Sequence, residues 1–289
     1  VYRNWLDGAR KIILIRFGLV KIHKVYIIKG MQKTLKLYKK MSETPLECIQ
    51  RFQKENPDYK NEKMTYAGRL DPMAEGELLV LVGEECKKKD EYLGLDKEYE
   101  MDILFGFSTD TYDILGLIKK TGVGLLLDLG LADPSDYDVV RHGGKVERFL
   151  GKLIGKSMQK YPPFSSKTVD GKQLFQITKD GELDSENLPE KEIEIYEAEL
   201  LKNYYISGRD LKADIMKRIL LINGDFRQEE ILDKWDRELK RRRDPKLSVG
   251  RQEEQFLISK IRVKCSSGTY MRSIAQNLGK FLGVPALAL

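Results

Sequence analysis

Three long stretches of alternating apolar and polar residues constrain this chain more than any other feature of its sequence. They are KEYEMDILFGF (97–107), KEIEIYEAELLKNYYIS (191–207) and FLISKIRVKCSS (256–267). A period of two puts every second side chain on the same face of a β-strand. Because one face of these stretches is apolar and the other polar, we expect a mixed, largely antiparallel sheet with one covered face.

Shorter elements are predicted between these strands. TLKLYKK (34–40), GELLVLVG (76–83) and ILGLIKK (114–120) have the pattern of strands, and SETPLECIQRFQKEN (42–56) that of a helix with Ser42 or Thr44 as its N-cap. Helices are also expected at 84–95, 133–155 and 268–283. The last of these would carry an apolar face formed by Ile274, Leu278 and Phe281. Strands outnumber helices, and the fold class predicted is α+β with flanking helices.

The cysteines and histidines limit the chemistry available to the chain. Its three cysteines are odd in number and none lies in a C-x-x-C pair, which argues against a disulfide framework or a zinc knuckle and favours a reducing, intracellular setting. The two histidines stand alone in the sequence. We therefore expect no metal site and no serine-type hydrolytic triad.

The first thirty residues differ from the rest of the chain. They hold seven Lys or Arg and one Asp, which accounts for the whole formal net charge of +6. Charged residues interrupt every apolar run there, so neither a membrane span nor a signal peptide is predicted. We expect residues 1–30 to be an appendage or upstream read-through, with a basic arm for RNA as the alternative.

Residues 208–255 are dense in charge and carry helical spacing at Ile215, Ile219 and Leu220, and again at Ile231, Leu232 and Trp235. We expect a helical insertion there. Its KRRRDPK run, like the lysines at 87–89, could face phosphates or simply be solvated.

The stretch YAGRLDPMAEG (66–76) presents a single carboxylate, Asp71. Pro72 disfavours helical dihedrals at Asp71, and the glycines at 68 and 76 allow sharp turns or close approach to a ligand. Arg69 can supply charge to a phosphate or a carboxylate. The pattern alone fits an ordinary turn and a presented nucleophile equally well.

Two further segments hold candidate polar residues. Tyr99 heads a predicted strand, where core packing is its ordinary role, and STDTYD (108–113) is typical of a turn whose Asp and Thr side chains bond local backbone. Arg272 lies in the first turn of a predicted helix, where it could pair with a carboxylate such as Asp71, bind a phosphate, or stay on the surface.

These motifs occur in an order and spacing that resembles the TruB-type tRNA pseudouridine synthases. The resemblance rests on GRLDPMAEGELLVLVGEECK, DKEYEMDILFGFSTDTYDILG, YPPFSSKTVDGKQLF and VKCSSGTYMRSIAQNLGKFLG, and covers roughly residues 34–205 and 256–285. It implies the pseudouridine synthase fold with a central catalytic cleft, no cofactor, and isomerisation of uridine, above all the T-loop uridine (position 55) of tRNA.

The resemblance also implies roles for individual residues. Asp71 would attack or deprotonate the ribose, and Arg272 would pair with the catalytic carboxylate. Tyr99 would stack on the flipped base and help with the proton at C5. The RNA-binding residues implied are Tyr66, Arg69, Lys39, Lys172 and Tyr270. Where bacterial members carry a His before the motif, this chain has Tyr66.

The layout expected is a catalytic domain over 31–289, interrupted by the insertion at about 208–255, with no C-terminal PUA domain and no following family strand. The partner would be the T-arm of tRNA, and the protein a cytoplasmic monomer without membrane contact. Two alternatives stay open: an RNA-binding or tRNA-folding module that has lost catalysis, and a synthase that acts on another RNA.

Overall fold

A computed structural model describes residues 12–15, 33–122, 139–183, 188–241 and 255–289. The chain divides into two compact units. Unit 1 comprises Val1–Tyr99 and Lys264–Ser267, and unit 2 comprises Glu100–Val263 and Gly268–Leu289. No helix in the described ranges is both long and apolar enough to cross a membrane.

Unit 1 is built on a small antiparallel sheet covered by one helix. Its elements are β1 (Ile12–Ile15), β2 (Thr34–Lys39), α1 (Pro45–Glu55), β3 (Met64–Tyr66), β4 (Gly76–Val82), α2 (Lys89–Leu93) and the first residues of β5 (Asp96–Phe105), with 3-10 turns at Pro57–Tyr59 and Gly83–Lys88. The strand order is β2-β4-β3, and β1 runs parallel to β5. Apolar residues of α1 and of the sheet form a common core.

The start of α1 shows how local sequence fixes an element of unit 1. The Thr44 hydroxyl accepts a hydrogen bond from the Glu47 amide at 3.1 Å, and the Glu47 carboxylate accepts one from the Thr44 amide at 2.6 Å. This reciprocal pair satisfies two amide donors that the first helical turn leaves open. Of the two N-caps considered, Thr44 is the one used.

Unit 2 contains the larger sheet. Its elements are β6 (Phe107–Thr109), β7 (Ile118–Thr121), α3 (Val139–Leu153), β8 (Gly155–Lys160), β9 (Thr168–Val169), β10 (Lys172–Gln173), α4 (Leu174–Lys179), β11 (Glu190–Ser207), α5 (Gly208–Leu220), α6 (Gln228–Arg241), β12 (Gln255–Cys265), α7 (Met271–Leu282) and β13 (Ala286–Ala288). The strand order is β5-β12-β11-β8, and β13 pairs with β5. The β8–β11 and β13–β5 pairings are antiparallel. The α+β class and the mixed, largely antiparallel sheet are thereby confirmed.

Several boundaries differ from the sequence prediction. The expected strand at 114–120 begins only at Ile118, because the residues before it close a hydrogen-bonded turn. The helix expected at 84–95 starts as the 3-10 turn Gly83–Lys88, where Gly83 has a φ of 60°. The last strand, β13, was not predicted. The proposed helix start at 133–135 and most of residues 1–30 fall outside the described residues.

Two apolar residues assigned to buried helix faces are exposed instead. Leu220 is 71% exposed at the end of α5, while Ile215 and Ile219 beside it are fully buried. Phe281 is 40% exposed and packs at the edge of unit 2, its ring centroid 5.5 Å from that of Phe149. Residues farther along the chain, Leu282 after Phe281 and Ile222 after Leu220, are buried again, so these two side chains lie beside the buried face and not beyond the end of the core.

Candidate active site

The stretch around Asp71 forms a tight turn, which we call the Asp71 turn (residues 70–74). The Asp71 carbonyl accepts a hydrogen bond from the Ala74 amide at 2.9 Å, with Pro72 in the second position of the turn, where its fixed φ is favourable. Leu70, Met73 and Ala74 are buried. Asp71 itself is exposed, so buried neighbours on both sides anchor a carboxylate that faces outward.

Glycines permit the chain to enter and leave this turn. Gly68 has a φ of 100° and Gly76 a φ of 143°, both in the left-handed half of dihedral space that residues with a Cβ rarely adopt. Gly76 is also the first residue of β4. The two glycines therefore bend the backbone on either side of the Asp71 turn, and this is the structural use of the glycines noted in the sequence.

Lys39 stabilises the Asp71 turn through hydrogen bonds to backbone carbonyls. Its side chain is fully buried, and its ammonium donates to the carbonyls of Ala74 at 2.6 Å, Lys40 at 3.2 Å and Asp71 at 3.3 Å. An ammonium has three N–H donors, and these three acceptors match that number. Lys39 thus ties the end of β2 to both ends of the Asp71 turn.

This position corrects the expectation that Lys39 binds RNA. A fully buried ammonium that donates to three carbonyls offers no surface to a phosphate, so its role is to position the turn. Burial lowers the pKa of Lys39 to about 8, and the carboxylates of Glu43, Asp71 and Glu75, together with Cys48, oppose part of that effect. The alternation along β2 places Lys39 on the same face as the buried Leu35 and Leu37, and this is the local signal of its burial.

Tyr99 lies beside the Asp71 turn. It is half-buried and packs against a small apolar cluster whose buried members are Leu70 and Ala74, the two residues that bound the turn. The structure therefore brings Tyr99 and the Asp71 turn together within unit 1. That Tyr99 stacks on a target base remains a prediction.

The other two candidates of unit 1 are Tyr66 and Arg69. Tyr66 ends β3 and packs on the core beneath α1, with the Lys89 ammonium 5.1 Å from its ring centroid. Such a cation above an aromatic face is a weakly stabilising contact. Arg69 is exposed. Both remain predicted RNA-binding residues.

In unit 2, the first turn of α7 carries a buried guanidinium. Arg272 is 8% exposed, which excludes the surface position considered as an alternative. It donates to the Thr111 carbonyl at 2.9 Å and to the Phe164 carbonyl at 3.3 Å, and its Nε lies 3.6 Å from the Asp113 carboxylate. The predicted pairing of Arg272 with Asp71 joins residues of different units and remains a prediction.

Asp113 belongs to a turn that its own side chains hold, as the STDTYD pattern predicted; we call it the 109–117 turn. The Thr111 hydroxyl donates to Asp113 Oδ1 at 2.6 Å, and the same oxygen accepts from the Leu115 amide at 2.9 Å. Asp110 Oδ1 accepts from the Leu117 amide at 2.9 Å. The contact of Asp113 with Arg272 was not predicted, since nothing in the sequence links a turn to a helix so far along the chain.

Tyr270 and Lys172 occupy different surroundings within unit 2. The backbone of Tyr270 exchanges two hydrogen bonds with the Gln159 amide group, at 2.7 and 3.2 Å, and its ring meets that of Tyr161 edge to face at 5.4 Å. Lys172 is exposed on the β9–β10 hairpin, 3.4 Å from Glu182. Tyr270 is thereby held next to the helix turn that carries Arg272, whereas Lys172 stands on a projecting hairpin.

In the described part of the chain, no group of three or more His, Cys, Asp or Glu residues is arranged to hold a metal ion. The side chains that the structure offers are an exposed carboxylate on a fixed turn in unit 1 and a buried guanidinium with carbonyl and carboxylate partners in unit 2. The first is suited to nucleophilic or general-base chemistry, and the second to holding charge in a fixed position.

Comparison with known proteins identifies related sequences. The curated relatives include tRNA pseudouridine synthase B of Oceanobacillus iheyensis, 27% identical over 256 residues, which covers 89% of this chain and 62% of that protein. The protein of the same name from Aquifex aeolicus is 24% identical and matches 83% of this chain and 60% of its own length. tRNA pseudouridine synthase 4 of Saccharomyces cerevisiae is 26% identical over 75% of this chain and 57% of its own length. This chain thus spans about three fifths of the length of these relatives.

Among solved structures, a chain of a Cbf5-Nop10-Gar1 complex gives a TM-score of 0.46 at 16% identity, covering 89% of this chain and 46% of that one. The family model described as "TruB family pseudouridylate synthase (N terminal domain)" matches residues 57–215, which include the Asp71 turn, Tyr99 and the 109–117 turn. Because that match spans more than half of its residues, the chain belongs to the TruB family of pseudouridylate synthases.

Proposed function

We propose that this chain isomerises uridine to pseudouridine in tRNA, and that its target is the T-loop uridine (position 55). Membership of the TruB family supports the reaction. The names of the relatives, tRNA pseudouridine synthase B and 4, support tRNA as the substrate. The T-loop position follows from the resemblance of the motifs.

The observation that carries the proposal is the Asp71 turn. A single exposed carboxylate stands on a turn that is fixed by two flanking glycines, three buried side chains and a buried lysine. A catalytic group must be held in a narrow range of positions, and this turn provides such support.

In the proposed reaction, Asp71 attacks or deprotonates the ribose of a flipped uridine. The bond between C1′ and N1 breaks, the base turns, and a bond forms between C1′ and C5. The hydrogen on C5 leaves as a proton and N1 gains one, so the product is an isomer of the substrate. No cofactor is needed, since no electrons enter or leave.

Tyr99 and Arg272 are the two other residues proposed to act at the reacting nucleotide. Tyr99, beside the Asp71 turn, would stack on the flipped base, where base–aromatic stacking contributes about 1–3 kcal/mol and helps to offset the cost of flipping. Its hydroxyl would help to remove the proton from C5. Arg272 would pair with the Asp71 carboxylate. Lys39 would hold the turn without contact to RNA.

Four residues are proposed to bind the RNA around the target. Tyr66 and Tyr270 present aromatic rings for stacking, and Arg69 and Lys172 are exposed cations suited to phosphates. The net charge outside residues 1–30 is zero, so RNA binding would depend on local positions rather than on overall attraction.

The layout and setting are part of the same proposal. Residues 31–289 form the catalytic domain, residues 208–255 an insertion within it, and residues 1–30 an appendage. We expect a monomer that binds the T-arm of tRNA in the cytoplasm. These statements rest on the resemblance of the motifs.

Product analysis tests this function. Unmodified tRNA transcript is incubated with the chain, digested to nucleosides and analysed by liquid chromatography and mass spectrometry, and the position is mapped by carbodiimide modification and primer extension. The expected result is one pseudouridine, in the T-loop, and none in a transcript with cytidine at that position. Pseudouridine elsewhere would favour a synthase for another RNA, and binding without product would favour a non-catalytic module.

A further inference from the structure

The two helices α5 and α6, which we call the helical pair, pack into unit 2 rather than projecting from it. Ile215, Ile219 and Ile231 are fully buried, as is Trp235. The Trp235 indole N–H donates to the Ile114 carbonyl at 3.2 Å, and its ring lies 5.0 Å from that of Phe107. The helical pair is therefore fastened to the 109–117 turn.

A second contact joins the start of α6 to the same turn. Arg227 donates to both oxygens of Asp110, at 2.9 and 3.3 Å, and its guanidinium lies 4.6 Å from the centroid of the Phe164 ring. Both members of the ion pair are largely buried, with side-chain exposures of 23% and 13%. A two-pronged arginine–carboxylate contact of this kind fixes orientation as well as distance.

The backbone at Arg227 supports a specific task for this residue. Its φ is 61°, in the left-handed region that residues with a Cβ adopt at a cost. Strained residues persist where the surrounding structure requires them, and they cluster at functional positions. Here the strained residue is the one that reaches Asp110 and Phe164.

Arg227 and Arg272 thus hold the same two segments. Arg227 binds the Asp110 carboxylate and the Phe164 ring, while Arg272 binds the carbonyls of Thr111 and Phe164. Both guanidinium groups therefore contact the 109–117 turn and Phe164. A shift of this turn would displace the partners that fix Arg272.

We propose that Arg227, presented by the helical pair, is a positioning residue that sets the location of the Arg272 guanidinium through the 109–117 turn and Phe164. This inference rests on the proposed function, because it assigns the helical pair a role in the isomerisation. The insertion at 208–255, which contains the helical pair, would then contribute to the rate of turnover. It would not serve as a separate binding module.

The competing interpretation is that Arg227 contacts RNA directly. Arg227 and Asp110 line an open groove of about 1130 Å³, together with Lys119, Lys120 and Lys179. A residue that only binds RNA affects KM, whereas a residue that positions the catalytic machinery affects kcat. The two interpretations therefore differ in a measurable way.

The first experiment measures kcat and KM on tRNA transcript for the full chain and for Arg227→Ala, Arg227→Lys and Arg237→Ala. We expect Arg227→Ala to lower kcat between about tenfold and about a hundredfold with KM nearly unchanged, as for a small displacement of a catalytic group. Arg227→Lys keeps the charge without the two-pronged contact and should recover part of kcat. Arg237, which pairs with Asp233 on the exposed side of α6, is the matched control and should match the unaltered chain.

The second experiment needs no turnover. Hydrogen exchange should be about tenfold faster at the Leu117 amide, which donates to Asp110, in Arg227→Ala than in the unaltered chain, while β11 keeps its protection. A loss confined to KM, or unchanged exchange in the 109–117 turn, would overturn the proposal. If the unaltered chain makes no pseudouridine, the proposed function fails, and the exchange result still decides whether Arg227 positions this turn.

Discussion

The burial of Lys39 gives a prediction that can be worked out from the structure and needs no assumption about function. Burial lowers its pKa from the ordinary 10.5 to about 8. At about 1.4 kcal/mol per pKa unit, the charged form costs about 3 kcal/mol more in the folded chain than in the unfolded one. Replacing Lys39 by Met removes this titration and leaves the Ala74 carbonyl without its donor.

The sign of the pH dependence follows from the direction of the shift. Because the folded pKa is below the unfolded value, the unfolded chain binds more protons between about pH 8 and pH 10.5. The contribution of Lys39 to the free energy of unfolding therefore rises with pH through that window, by up to about 3 kcal/mol. At pH 7 Lys39→Met relieves the cost of the buried charge but leaves a buried acceptor unpaired, which costs about 1–3 kcal/mol, so the two effects largely offset each other. The destabilisation by Lys39→Met should then grow as the pH rises towards 10.5.

The assay is urea unfolding followed by circular dichroism, at several pH values from 7 to 10.5, for the unaltered chain and for Lys39→Met. At each pH, the free energy of unfolding of Lys39→Met is subtracted from that of the unaltered chain. This subtraction cancels the contributions of groups that titrate in both proteins. Lys36→Met, which removes an exposed ammonium from the same strand, controls for the loss of a lysine as such. If this difference in the free energy of unfolding stays constant or falls between pH 7 and pH 10.5, the conclusion that Lys39 is buried and holds the turn is refuted.

Two further substitutions test the turn next to Arg272 and the tyrosine beside Asp71. A Cβ on Gly116 would lie 2.7 Å from both Asp110 Oδ1 and Thr109 Cβ, so Gly116→Ala should destabilise by about 1–3 kcal/mol in the same urea assay. Gly144→Ala, on the open surface of a helix, should instead stabilise the chain by about 0.5–1 kcal/mol. Equal effects of the two substitutions would contradict the steric crowding at Gly116. Tyr99→Phe should keep tRNA affinity but slow turnover, measured by filter binding and single-turnover kinetics; unchanged turnover would remove its hydroxyl from the chemistry.

Much of the fold is visible in the sequence because alternation reports directly on strands. The longest predicted strand, at 191–207, is β11 (Glu190–Ser207), and the turn at Asp71 follows from Pro72 and two glycines. The turn at 109–117 follows from Asp and Thr side chains that bond nearby backbone. Each of these features depends on residues close together in the chain.

The features that the sequence does not reveal depend on distant residues. Arg272 donates to Thr111 across 161 positions, and Trp235 donates to Ile114 across 121. The RNA-binding role of Lys39 came from the family resemblance, although the alternation of β2 places Lys39 on the face of the buried Leu35 and Leu37. Tertiary packing determines which distant residue contacts a given side chain. The local sequence pattern does not specify that packing.

The central claim, that Asp71 carries out uridine isomerisation, is tested most directly by tritium release from tRNA transcript labelled at uridine C5. The unaltered chain is compared with Asp71→Ala, which changes an exposed side chain and should leave the fold intact by circular dichroism. The account predicts release by the unaltered chain and none by Asp71→Ala. Equal release by both, or no release by an unaltered chain that binds the transcript, would contradict it.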